Sequence, residues 1–317
     1  MDSSRQMLLH VFRGFLMGGA DVIPGVSGGT VALILGIYKR LVKAVSSVDA
    51  KLFKRALQLN WRAVVFQLDL TLVVPLAVGI VVGAFALAGV IEWLLTEKRQ
   101  DTFAAFFGLI AGSTILVGRM VPKWDGVRIA AAAVAAVAAF VLVGLDTLQN
   151  PPGGPLYLFV CGAIAITAMI LPGISGSYML LVLGAYDRIL EMVHVVKDAL
   201  KSVSLPPTAM LVELAAFAGG LVIGILSFSK LLKWLLEKKT ATTLAVLTGL
   251  MVGSLRRLWP FQTDLTPEIE KLSFKRYAFE LPDFAAGTTW MTLGWAVAGF
   301  VFVLALERLA GGRTAKP

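Results

Sequence analysis

Long apolar stretches constrain this chain more than any other feature. Leu70–Leu95, Phe103–Val117, Val127–Leu145, Leu211–Leu236 and Thr288–Leu306 carry almost no charge, and runs of this kind let a helix cross about 30 Å of hydrocarbon. Only 15% of the residues are charged, where a soluble domain carries about a quarter. The chain is therefore expected to be an all-α, polytopic membrane protein.

Its net charge of +9 does not point to nucleic acid. The basic residues gather in short loops between apolar segments, where they orient a membrane protein. The single cysteine, Cys161, lies inside an apolar segment and reads as a small buried side chain. The stretch Met7–Ile23 is apolar, but no A-x-A site follows it, so it reads as mature sequence and not as a cleaved signal.

An internal repeat organises the chain. Ile23–Arg40 lies over Leu171–Arg188 with Pro24/Pro172, Gly25/Gly173, Ser27/Ser175, Gly28/Gly176, Gly36/Gly184, Tyr38/Tyr186 and Arg40/Arg188 identical. A second block matches Gly83, Trp93, Leu95, Gly108, Gly112 and Ser113 to Gly224, Trp234, Leu236, Gly249, Gly253 and Ser254. Matching blocks in the same order are what an internal duplication leaves behind. The turn-rich linker Asp146–Pro155 divides residues 1–150 from 151–317.

Loop charge supplies a topology. Lys39–Arg62 holds seven basic residues and one acidic, and the N-terminus carries Arg5 and Arg13. Both ends of the first motif segment thus read as cytoplasmic, which makes residues 7–45 a re-entrant hairpin. Spans at about 70–95, 102–119 and 127–146 follow, with a neutral outer loop Glu97–Asp101 and a basic inner loop Arg119–Arg128. Three spans turn the second half upside down, with a hairpin at 156–195 and spans at about 209–236, 240–258 and 286–307. Its loops agree: Asp187–Lys201 is balanced and outside, Lys230–Lys239 basic and inside, Trp259–Asp283 mixed and outside, Arg308–Lys316 basic and inside. The expected architecture is an inverted repeat, each half a re-entrant hairpin plus three spans, with both termini cytoplasmic.

Bare backbone at membrane depth survives only when buried in protein or lining a polar cavity. Pro24 and Gly25 are expected to break a helix, and Ser27 to cap a new half-helix running through Thr30 to Lys43. Free N–H groups and a partial positive charge at such a start suit an anion. Ser27, Gly28, Gly29 and Thr30 in one copy, and Ser175, Gly176 and Ser177 in the other, are the candidate substrate-binding residues. A simple kink or small-residue packing would explain one copy, whereas paired interruptions in opposed halves mark a transport site. Asp21 is either a local helix-end hydrogen-bond acceptor or a site of proton or ion coupling. Glu213, early in a span, is either an interfacial residue or a site of such coupling. Arg119, Arg256 and Arg257 end spans beyond the matched Gly-Ser pairs, as snorkelling anchors or as phosphate attractors.

The string Gly18-Gly-Ala-Asp-Val-Ile-Pro-Gly-Val-Ser-Gly-Gly-Thr30, followed by Gly36-Ile-Tyr38, resembles the signature of a bacterial family associated with polyprenyl-phosphate transport, the PopT-type translocases. The resemblance covers nearly the whole chain, including Leu171–Gly176 and Gly249–Trp259. It implies a flippase of the cytoplasmic (inner) membrane that returns undecaprenyl phosphate from the outer to the inner leaflet, recycling the carrier of peptidoglycan and other surface-polymer precursors. Ser177-Tyr178 departs from Gly29-Thr30, so the second copy is bulkier and equal roles for the two are not implied. The alternative is a secondary transporter or channel for a small soluble anion. An enzyme is disfavoured, because lipid-phosphate hydrolysis calls for a histidine or a metal, and His10 and His194 both lie away from the motifs and read as interfacial. No pattern calls for a metal or a cofactor, and none specifies a number of subunits.

Overall fold

The computed structural model describes residues 4–23, 26–202, 206–266, 268 and 277–311. Pro24 and Gly25, the expected helix breakers, and residues 312–317 of the last loop lie outside them.

The chain enters as α1 (Ser4–Asp21), then two short helices, α2 (Gly28–Ile34) and α3 (Tyr38–Ser46). The half-helix expected from Thr30 to Lys43 is thus two helices. The cause is Gly36 at φ +71°. Its left-handed backbone closes α2, with Ile37 N–H donating to Ala32 C=O and Gly36 N–H to Leu33 C=O. The basic loop that follows folds into α4 (Ala50–Leu57) and α5 (Trp61–Gln67), capped by the side chains of Asp49 and Asn60.

Three apolar helices complete the half: α6 (Leu70–Glu97), α7 (Arg99–Arg119) and α8 (Gly126–Leu142). The span expected to reach residue 146 stops at Leu142. The carbonyls of Val143 and Leu145 turn aside to accept hydrogen bonds from the Tyr178 hydroxyl at 2.9 and 3.3 Å, which pins the end of α8.

The second half repeats the order. α9 (Pro155–Ile170) leads to α10 (Gly176–Val182) and α11 (Tyr186–Ser202). Here Gly184, at φ +65°, closes α10 with the same pair of hydrogen bonds, Ala185 N–H to Leu180 C=O and Gly184 N–H to Leu181 C=O. Then come α12 (Thr208–Lys238), α13 (Thr240–Ser254) with a 3-10 turn at Leu255–Leu258, and α14 (Gly287–Gly311). A two-stranded hairpin, β1 (Gln262–Asp264) on β2 (Tyr277–Phe279), lies within the 259–283 connection, where the sequence had suggested only a loop. The helix-start threonines also match. Thr102 Oγ1 donates to the carbonyls of Leu94 and Lys98, and Thr243 Oγ1 to those of Leu235 and Lys239.

α6, α7, α12 and residues 287–305 of α14 are long and apolar enough to cross a bilayer, and α8 and α9 are shorter apolar helices. The chain is an all-α, multi-pass membrane protein. In the principal pairings α1 packs on α6 and α9 on α12, while α7 packs on α14 and α13 on α8. The last span of each half therefore lies on the middle span of the other, interlocking the halves. Small residues let these backbones touch. A Cβ on Gly108 would stand 1.8 Å from the Ala296 carbonyl oxygen, and one on Gly249 would stand 2.1 Å from that of Ala132.

The most extensive pairing that lacks a counterpart is that of α3. α3 packs closely on α12, with Tyr38 and Val42 in the same buried cluster as Leu232 and Leu236. The repeat equates these with Tyr186 and Leu190 on α11 and Ile91 and Leu95 on α6, yet α11 and α6 do not pack closely.

Gly108→Ala and Gly249→Ala should each destabilise the protein by about 1–3 kcal/mol through overpacking. Gly89→Ala, at a position with open space around it, should leave the melting temperature in detergent unchanged.

Candidate functional site

The two motif segments meet. Ser27 Oγ–H donates to the Met169 carbonyl at 3.0 Å, and the Tyr38 hydroxyl donates to that of Ile170 at 3.1 Å. In return Gly173 N–H donates to Thr30 Oγ1 at 2.9 Å. A Cβ on Gly29 would stand 2.7 Å from the Ile170 carbonyl oxygen, so the close approach requires glycine there. Gly173 takes φ +89°, and a side chain there would also meet Ser254 Oγ at 2.7 Å. The seam thus ties first-half hydroxyls to second-half backbone, and Ser27 and Thr30 are buried in it.

This geometry corrects the expectation of free donors at the first half-helix. Gly28 N–H donates to Asp21 Oδ1 at 2.6 Å, Gly29 N–H to Ser27 Oγ at 3.1 Å, and Thr30 and Val31 N–H to the Ser27 carbonyl. The start of α2 is already filled, and α2 is only seven residues long, so its dipole is small. Of the two readings of Asp21, the local acceptor is what the geometry displays.

The second copy is arranged differently. Ser175 makes no capping bond to its own helix; its hydroxyl pairs with that of Ser177 at 2.9 Å. Ser175 is buried, whereas Ser177 is exposed and lines a cavity of about 800 Å³. One wall of this cavity is α6 at Ala88, Ile91 and Leu95; the opposite wall is α11 at Tyr186, Leu190 and His194. Arg99, Tyr178, Arg257 and Tyr277 also line it, as do the carboxylates Glu92, Asp187, Glu191 and Asp198. Of the seven expected binding residues, Ser177 reaches the cavity, while the first-copy four, Ser175 and Gly176 do not line it.

The remaining candidates have structural partners. Glu213 accepts from Arg188 Nη2 at 2.7 Å, tying α11 to α12. Its counterpart is Arg40 with Asp69 at 2.6 Å, joining α3 to the residue before α6. Arg256 Nη1 donates to the Phe140 carbonyl at 2.9 Å and stacks over the Phe140 ring at 4.4 Å, bracing α8. Arg119 is exposed at the end of α7. His10, expected at the interface, is buried within 3.4 Å of Arg40 Nη1. Cys161 is buried and free, as its apolar setting suggested.

Sequence reasoning passed over Arg99, which it counted only as one charge in a neutral loop. A signal was available: in the register of Trp93 with Trp234, Arg99 falls opposite Thr240, so a cation had appeared in one half alone.

A family model described as undecaprenyl phosphate translocase-like matches residues 17–274. The chain is 37% identical over 254 residues to the polyprenyl-phosphate transporter of Vibrio cholerae, covering 80% of this chain and 78% of that one. It is 29% identical over 265 residues to the polyprenyl-phosphate transporter of Staphylococcus aureus, covering 80% and 86%. No solved structure matches it.

Thr30→Val should leave the buried Gly173 N–H without an acceptor and cost about 1–3 kcal/mol. Thr30→Ser should recover most of the loss, as read by thermal unfolding in detergent.

Proposed function

Because the chain belongs to the undecaprenyl phosphate translocase-like family, we propose that it carries polyprenyl phosphate, typically undecaprenyl phosphate, from the outer to the inner leaflet of a bacterial cytoplasmic membrane. It acts as a carrier and not as an enzyme. Both termini face the cytoplasm, and the two halves form an inverted repeat about the motif seam.

The observation that carries this reading is the difference between two equivalent contacts. On one side Tyr38 and Val42 of α3 are buried against Leu232 and Leu236 of α12. On the other, Tyr186 and Leu190 of α11 face Ile91 and Leu95 of α6 across the open cavity. Loop charge assigns the open side to the outer face, because its neighbours are 97–101, 187–201 and 259–283. The arrangement is that of a carrier open outward and closed inward, which advances by exchanging one contact for the other.

The motif residues Ser27, Gly28, Gly29, Thr30, Ser175, Gly176 and Ser177 form the passage in this reading. In the present state the first copy is sealed by its bonds to Met169, Ile170 and Gly173. Parting that seam frees backbone N–H groups and hydroxyls for the passing headgroup. The prenyl tail stays in lipid, which spares the protein a channel long enough to enclose it. Asp21, which holds Gly28 N–H, is the residue at which a proton or ion would couple to the opening.

The test is flipping of fluorescent polyprenyl phosphate in proteoliposomes. Wild type should flip it, and a folded Ser27→Asp/Ser175→Asp double variant should lose the activity. Flux of a small soluble anion without lipid flipping by wild type would replace this reading with the soluble-anion transporter. For the orientation, Leu190→Cys should react with an impermeant maleimide added outside intact spheroplasts, while Val42→Cys stays protected. Protection of Leu190→Cys from the external reagent would overturn the outward-open assignment.

A further inference from the structure

The cavity between α6 and α11 holds two cations to which the translocase reading gives no role. Arg99 begins α7, with its guanidinium carbon 4.0 Å from the Tyr277 ring centre and 4.5 Å from that of Phe103. Arg257, in the 3-10 turn, stands 4.9 Å from the Tyr178 ring centre. Aromatic faces hold a guanidinium by its plane and leave its N–H edges free to donate. Arg99 and Arg257 lie within electrostatic reach of one another, and Asp264 lies within reach of Arg99. Among the described residues, however, neither guanidinium has a carboxylate within 4.0 Å. Arg257 Nε is buried with no hydrogen-bond partner. Two neighbouring cations with no carboxylate in contact, one with an unspent buried donor, favour an anion between them.

We propose that Arg99 and Arg257 form a binding site for a phosphate monoester headgroup, entered sideways through the gap between α6 and α11. The lipid nature of the ligand rests on the translocase reading; its anionic chemistry does not. A terminal phosphate offers three oxygens, enough to accept from two guanidinium forks at once, whereas a carboxylate offers two. Ser177 Oγ, on the same wall, supplies a further hydroxyl.

The surroundings discriminate between sources of phosphate. Glu92, Asp187, Glu191 and Asp198 also line the cavity, and all but the half-buried Asp187 are exposed. Their negative charge opposes a free anion arriving through water. A headgroup on a prenyl tail arrives instead along Ala88, Ile91, Leu95 and Leu190, which are apolar. The apolar wall adds a hydrophobic gain that only a tailed phosphate can collect, so the site favours a lipid phosphate over inorganic phosphate.

The experiment is binding of a fluorescent polyprenyl phosphate to the full chain in nanodiscs. Polyprenyl alcohol and inorganic phosphate serve as competitors. Arg99→Gln and Arg257→Gln should each weaken binding about tenfold or more, equivalent to about 1.4 kcal/mol, and the Lys variants should fall between. The alcohol and inorganic phosphate should compete poorly. Wild-type affinity in both Gln variants would overturn the site and leave the translocase reading standing. Absence of lipid binding by wild type, with arginine-dependent binding of inorganic phosphate, would keep the anion site and overturn its lipid ligand. Should the Gln variants fail to fold, Leu190→Cys with both arginines intact supplies the answer. Polyprenyl phosphate, but not the alcohol, should slow its maleimide labelling, and equal labelling with either would overturn the proposal.

Discussion

Everything else in this structure depends on the seam where two interrupted helical segments satisfy one another's backbone. A membrane interior offers no water to a bare carbonyl or N–H, so an unwound segment must find partners in protein. Here the partners come from the other half: Thr30 takes the Gly173 N–H, and Ser27 and Tyr38 serve the Met169 and Ile170 carbonyls. Glycine at 29 and 173 lets the strands of backbone approach closely enough for these bonds to form. The motif is thus first a closure device, and whatever passes through it must compete with hydrogen bonds the protein already makes. That requirement suits a strong acceptor such as phosphate, whose charged oxygens replace a neutral hydroxyl or carbonyl at an advantage.

The interlock of α7 with α14 and of α13 with α8 complements this seam. Contacts at Gly108 and Gly249 leave no room between the backbones, so these pairs are the rigid frame. The helices α3 and α11 differ. Each is tied back by one ion pair at a repeated arginine, Arg40 to Asp69 and Arg188 to Glu213. Each follows a left-handed glycine, Gly36 or Gly184, which separates it from the half-helix before it. An arm joined through such a turn can tilt without unwinding α2 or α10.

Much of this was legible in the sequence, for physical reasons. Apolar runs mark spans because hydrocarbon tolerates little else, and the matched Ser27/Ser175 and Tyr38/Tyr186 blocks announced the duplication before any coordinates. The four helices long enough to span begin within a few residues of where hydropathy placed them. Illegible were the features set by neighbours distant in sequence. Nothing local to Asp21 says that its carboxylate will reach Gly28 and fill the helix start expected to stay open. Nothing near Leu142 says that Tyr178 will halt α8. The split at Gly36 was readable in principle, since glycine in the left-handed conformation often ends a helix, but the apolar run across it concealed the break. Ser175 and Ser27 occupy identical motif positions and yet face different surroundings, which an alignment of the copies alone does not reveal.

That difference between identical copies is the most informative property of the molecule. A carrier must visit two states of nearly equal free energy, since a gap of a few kcal/mol leaves one of them scarcely populated. Duplication meets this requirement through composition. The closed contact consists of Tyr38, Val42, Leu232 and Leu236, and its open equivalent of Tyr186, Leu190, Ile91 and Leu95. Each set holds a tyrosine and three aliphatic side chains, but Ile91 and Leu95 are already buried with Ile23, Phe103 and Leu258, so closing the second contact newly buries mainly Tyr186 and Leu190 and offsets part of the cost of opening the first. Charge does not cancel either. Arg99 and Arg257 occur on the open side, and the repeat places Thr240 and Leu116 at the corresponding positions of the closed one. An anion that neutralises the two arginines therefore acts on one state more than the other, and only such a difference in interaction can shift the equilibrium between them.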